Sequence, residues 1–278
     1  ERPAAEDTVM TSPHVKRWVT GIIAVPVLFS IVYFAPEPVF AGFVLLVTAV
    51  AVLEYNRLVF GRDGAMEKRA LMLFGLLAPL AAAMAGAAAV LAVAVLSSLL
   101  VFVLTLFGVR EGALDLNPLA RYVLGYLYLP VMLSHFILLR SDGQGVAWIF
   151  FVIVLAFSGD IAAFYVGRSF GRRKLMPLVS PGKTVEGLLG LAVGSVAGCL
   201  IYRHFFLPGV PAAHIAAIGL AGGIFGQLGD LFESLIKRAS GAKDSGGILP
   251  GHGGILDRLD CLLFIVPFVY YYRTYVLS

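Results

Sequence analysis

Apolar windows close to the ~20 residues that cross a bilayer as a helix recur along the whole chain. They occupy about 18–34, 39–58, 70–86, 88–107, 119–139, 146–167, 185–206, 213–236 and 255–276. Hydrocarbon offers no partner for a bare N–H or C=O, so runs of this length must close their hydrogen bonds internally as helices. The pattern predicts an all-α, polytopic membrane bundle of about nine transmembrane helices. The stretch 70–109 carries no charge and is too long for one span. A break at Ala85-Gly86-Ala87 divides it. Residues 1–17 read as a polar tail, 18–140 as a scaffold of helices with short loops, and 141–278 as the working part, with polar loops 168–184 and 237–256.

Composition agrees. Of 278 residues, 59% are hydrophobic and 14% charged, and the mean hydropathy is +0.90. Soluble domains carry about a quarter charged residues. Of the 21 Lys and Arg, all but Arg140, Arg203 and Arg273 fall on one side when the spans alternate from a cytoplasmic N-terminus. Retained positive charge marks the cytoplasmic side. This predicts an odd number of spans, with both late polar loops cytoplasmic. The first apolar run has no small-residue cleavage site, so a removed leader is not expected. Cys199 and Cys261 lie in apolar runs and predict neither a disulfide nor a thiolate metal site. His14, His135, His204 and His214 read as interfacial or structural, Glu54-Tyr55 as interhelix hydrogen bonding, and Tyr270 to Tyr272 as interface anchors.

Acids within spans are costly and need a reason. Asp230, Glu233, Ser234 and Lys237 follow i, i+3, i+4, i+7 and share one helix face. Glu233 and Lys237 read as an internal ion pair; Asp230, deeper and flanked by Gly226 and Gly229, reads as functional. Asp257 and Asp260 open the last span at i, i+3. Two carboxylates so close repel unless a cation sits between them, and with Asp230 they make an oxygen-only set that selects a hard cation such as Mg²⁺. The simpler alternative is that Asp257 caps its helix and pairs with Arg258. The intervening loop is rich in Gly and carries Lys243 and Asp244. Its backbone N–H groups can close on phosphate, and Lys243 and Arg258 can neutralise it.

The segment 234–260, SLIKRASGAKDSGGILPGHGGILDRLD, closely resembles the phosphatidate cytidylyltransferase (CDP-diacylglycerol synthase) family. Its pattern includes Lys237-Arg238, Lys243-Asp244, Pro250-Gly251-His252-Gly253-Gly254 and Asp257-Arg258-Leu259-Asp260. A second match is Ser180-Pro181-Gly182-Lys183-Thr184-Val185-Glu186-Gly187, where Gly182 departs from a lysine more usual in the family. Asp160, with Tyr165, Val166 and Gly167 after it, is similar to the family as well.

The resemblance implies an enzyme, a nucleotidyltransferase of phospholipid biosynthesis that joins CTP to phosphatidic acid, giving CDP-diacylglycerol and pyrophosphate. It implies Mg²⁺ at Asp230, Asp257 and Asp260, with a second cation as an open alternative. Asp244 would orient the loop or hold the metal through water, and Lys237, Arg238, Lys243 and Arg258 would hold phosphates. Ser180, Lys183, Thr184 and Glu186 would close over the nucleotide, with Asp160 and Ser234 beside it. His252 would position phosphate or loop, since a phosphate monoester dianion needs no general base. It further implies a multi-pass protein of the inner (plasma) membrane with its site facing the cytoplasm, a homodimer, and no nucleic-acid partner. An ion-coupled transporter using Asp160, Asp230 and Asp257 would explain the buried acids but not the basic, Gly-rich loop. A CTP-using lipid kinase is a nearer alternative, and the Asp-Gly-x-x-Ala-Arg pattern of CDP-alcohol transferases is absent.

Overall fold

The structure, a computed structural model, describes residues 13–108, 115–141, 143–247 and 253–277, and of residues 13–21 and 23 the backbone alone. Its helices are α1 Pro13–Phe34, α2 Glu37–Tyr55, α3 Ala65–Phe107, α4 Asn117–Tyr126, α5 Met132–Arg140, α6 Gly145–Phe170, α7 Val185–Phe206, α8 Ala212–Ala239 and α9 Leu256–Val276. Wider π turns, Asn56–Phe60 and Leu127–Val131, extend α2 and join α4 to α5. The second holds Pro130, which has no N–H to give to the helical ladder and so favours a local departure from it. Six helical stretches among the described residues are long and apolar enough to cross a membrane. The protein is an all-α polytopic membrane bundle with, among the described residues, one small exception. Lys174–Met176 (β1) pairs antiparallel with Ser180–Thr184 (β2) within the expected loop 168–184.

The break expected in the uncharged stretch falls at Gly86, whose φ of 77° and ψ of −164° interrupt the 43-residue α3. A side chain there would be strained; glycine is not. Many large apolar side chains stand exposed, among them Leu73, Leu91, Phe107 and Val193, more than a water-facing surface ordinarily carries. Inside lie Tyr55, Leu71, Leu129, Trp148, Phe151 and Val266.

The C-terminal helices pack in sequence, α6 on α7, α7 on α8 and α8 on α9. Small residues make this possible where bulk would hold backbones apart. A Cβ on Gly229 of α8 would come 2.5 Å from the Asp260 carbonyl oxygen of α9.

Cross-helix hydrogen bonds define two ends. At one, Arg140 donates to the carbonyl of Ala35 (3.3 Å), Arg273 to that of Leu139 (3.5 Å) and the Tyr202 hydroxyl to that of Ala147 (2.8 Å). At the other, α2, the hairpin, the end of α8 and the start of α9 meet, bringing Glu54, Lys183, Lys237 and Asp257 together with the acids described below. Cys199 is buried, Cys261 is half-buried, and both are free thiols. His135 bonds the Val131 carbonyl (2.8 Å) and His214 the Tyr272 hydroxyl (3.0 Å), the structural roles expected of them.

Candidate active site

Two groups of charged side chains share the second end of the bundle. In the first, Asp160 of α6, Asp230 of α8, Asp260 of α9 and Lys183 of β2 lie within electrostatic reach of one another. Lys183 Nζ is 2.5 Å from Asp230 Oδ2, with side chains 20% and 32% exposed. Ser234 Oγ donates to Asp230 Oδ1 at 3.5 Å, one turn along the same face. Buried behind them, the Tyr128 hydroxyl has no hydrogen-bond partner among the described residues and lies within reach of Glu233, Asp260 and Asp230.

The second group centres on Asp257. Its Oδ1 accepts from Lys237 Nζ at 2.7 Å, and Lys237 also pairs with Glu233 one turn earlier, the internal ion pair expected from spacing. Its Oδ2 accepts from the backbone of Ser245 (3.1 Å) and Gly254 (2.9 Å) and from Ser245 Oγ (2.9 Å). Spacing suggested that Asp257 would stand with Asp230 and Asp260. Here its carboxylate is taken up by Lys237 and the loop, and Asp160 is the further acid within reach of that pair. The simpler alternative for Asp257, a helix-start anchor, has the right form, and Lys237 is a cation that spacing along α9 did not bring to it.

Glu54 of α2 enters this second group from the scaffold half. Glu54 is 1% exposed and accepts from the backbone N–H groups of Ile255 and Leu256, both at 3.0 Å, and from Ser245 Oγ at 3.4 Å. Its neighbour Tyr55 donates to the Arg121 carbonyl at 2.9 Å. The expectation of interhelix hydrogen bonding is met by both. The reach of Glu54 to the glycine-rich loop is not legible in the sequence, where the available signal is an acid in an apolar run.

Thr184 caps α7 by accepting from the Gly187 N–H at 3.1 Å, and Ser180 pairs with Met176 in the hairpin. Glu186 accepts from the backbone of Arg172 (3.0 Å) and Arg173 (3.2 Å), fastening the segment before β1 to the start of α7. Arg238 donates to the carbonyls of Val179 (3.4 Å) and Ala242 (3.2 Å), tying the hairpin to the end of α8. Lys243, Asp244 and Arg258 are exposed around the site. His252 lies outside the described residues.

The donor chemistry suits a hard divalent cation, being oxygen-only, and Lys183 already brings a positive charge to Asp230. Among the described residues, no three His, Cys, Asp or Glu side chains stand close enough to hold a metal ion by themselves. Mg²⁺ ordinarily takes one or two carboxylates and completes its shell with phosphate oxygens and water, which the Asp230 and Asp260 pair can satisfy.

The sequence pattern of the cytidylyltransferase family matches residues 15–276. The chain belongs to that family. It is 44% identical over 149 residues to a phosphatidate cytidylyltransferase of Bacillus subtilis, covering 53% of this chain and 55% of that protein. Over 131 residues it is 44% identical to the uncharacterized protein YnbB of Escherichia coli, covering 47% and 44% of the two chains. Over 176 residues it is 35% identical to a phosphatidate cytidylyltransferase of Haemophilus influenzae, covering 58% and 59%. The chain thus spans about half the length of the curated relatives it matches. Within this cytidylyltransferase-family chain, the acids, the hairpin lysine and the glycine-rich loop all gather at one end of the bundle.

Proposed function

We propose that this chain is a phosphatidate cytidylyltransferase, moving CMP from CTP to phosphatidic acid with release of pyrophosphate. The observation that carries the reading is the convergence of Asp160, Asp230 and Asp260, from three helices, on Lys183 beside the glycine-rich loop. Two names among its relatives agree with it.

In this reading the phosphate of phosphatidic acid attacks the α-phosphorus of CTP in line, forming one P–O bond as the bond to pyrophosphate breaks. Mg²⁺, when bound, would neutralise charge on the triphosphate and the leaving group. Asp230 and Asp260 would hold it; Asp257 would join them only by giving up Lys237 and Ser245. Lys183 binds phosphate as it leaves Asp230, and Lys243 and Arg258 hold the triphosphate. Lys237 keeps Asp257 and the loop in place, and Arg238 keeps the hairpin against α8. The acyl chains stay in the bilayer, which accounts for polar chemistry at one rim of an apolar bundle.

The proposed topology is nine spans with the N-terminus and this rim cytoplasmic, in an inner membrane. The break at Gly86 supports counting α3 as two crossings. Arg140 and Arg273 lie together at the opposite end, as the charge alternation requires. A homodimer is proposed on family resemblance.

The test is purified protein in detergent with phosphatidic acid, CTP and Mg²⁺, following pyrophosphate and CDP-diacylglycerol, with dCTP, ATP and GTP as controls. The expected result is CTP-dependent product in equal amount to pyrophosphate. Tight labelled-CTP binding without product, or no CTP binding with Mg²⁺ present, would overturn the reading.

A further inference from the structure

Glu54 belongs to α2, far in sequence from the loop it holds. Both carboxylate oxygens face the segment where the glycine-rich loop returns to α9. Oε1 accepts from Ile255 N–H, and Oε2 from Leu256 N–H and Ser245 Oγ. The first N–H groups of a helix have no partner within it, and a negative charge there is favourable. Ser245 Oγ is also 2.9 Å from Asp257 Oδ2, so one hydroxyl, with a single proton to donate, stands between the two carboxylates. The loop leaves at Ser245 and returns at Gly254, and both points are closed over Glu54. A Cβ on Gly246 would come 2.8 Å from Glu54 Oε1, and one on Gly254 would come 2.6 Å from Oε2. The two glycines make the room that the carboxylate occupies. With 1% exposure, Glu54 cannot reach solvent instead.

We infer that Glu54 is a positioning residue, a clasp from the scaffold half that holds both ends of the glycine-rich loop so that Lys243 and Arg258 meet the nucleotide. This rests on the cytidylyltransferase reading. The clasp acts on the triphosphate side, so its loss should raise KM for CTP and lower kcat, and leave KM for phosphatidic acid unchanged.

The test compares wild type, Glu54→Gln, Ser245→Ala and the double variant, each also carrying Gly247→Cys. Gly247 is exposed, and no atom of the described residues lies within 4 Å of a Cβ built there. Alkylation of its peptide, read by mass spectrometry, reports loop opening with or without turnover. Glu54→Gln turns an amide toward two N–H donors. It should lower kcat/KM for CTP ~10-fold or more and speed alkylation several-fold, with about the wild-type thermal midpoint. Residues in one network act non-additively, so the double variant should be little worse than Glu54→Gln. If Glu54→Gln does not fold, Ser245→Ala alone must speed alkylation and raise KM for CTP. Unchanged alkylation and CTP kinetics, or additive effects, overturn the inference. Absence of turnover by the protein without Gly247→Cys overturns the activity reading instead, and alkylation still decides on the clasp.

Discussion

Lys183 and Asp230 meet between the hairpin and α8, Nζ 2.5 Å from Oδ2. The pair places a mobile ammonium on the acid that the proposed reaction would free for a cation. Both side chains are partly exposed, so their mutual attraction adds little to stability, ~1 kcal/mol or less. Lys183→Met should therefore melt near wild type in detergent while turnover falls ~10²–10³-fold, the range for losing one electrostatic contact in a transition state. Parallel thermal melts and CDP-diacylglycerol assays check this. An equal loss of both would make the pair structural.

Asp257→Asn should abolish most turnover, by ~10²-fold or more, with normal membrane insertion. The amide replaces one acceptor with a donor amid Lys237, Ser245 and Gly254, so the loop loses its anchor on α9. Activity of the purified variant, with membrane fractionation as the control, tests it; wild-type-like turnover would remove Asp257 from the mechanism.

Gly229→Ala tests the packing. Its Cβ would press on the Asp260 carbonyl and on Phe264, and backbone does not yield as a flexible side chain does. A loss of ~1–3 kcal/mol is expected, read as a lower thermal midpoint, with activity falling as Asp230 and Asp260 separate.

Gly182→Lys is expected to be tolerated. Among the described residues nothing lies within 4 Å of a Cβ there, and its φ is not in the left-handed region. It restores a cation one residue before Lys183 and should lower KM for CTP ~2–5-fold, an effect that fades in high salt as the surface charge is screened. Kinetics at two ionic strengths measure it.

Much of this was legible along the chain, because it is local. The apolar windows located the helices, an uncharged stretch too long for one crossing located the bend at Gly86, and i, i+4 spacing located the Glu233–Lys237 pair. The hairpin was read as loop, since its strands are short and carry Pro181 and Gly182, poor strand formers. Helix α8 also continues to Ala239, past the expected start of the polar loop at 237, since its last turn keeps helical spacing through the basic residues.

The sequence by itself determined the solvent this protein needs, its helical class, and the polar segments that carry its chemistry; burial preference and periodicity act within a few turns of chain. Only the tertiary structure decided which acids are neighbours. It set Asp160 within reach of Asp230 and Asp260, gave Asp257 to Lys237 and the loop, and brought Glu54 across from α2. Spacing fixes the face of one helix, but pairing across helices depends on where small residues such as Gly229 let two backbones touch, and that is a property of the packed bundle.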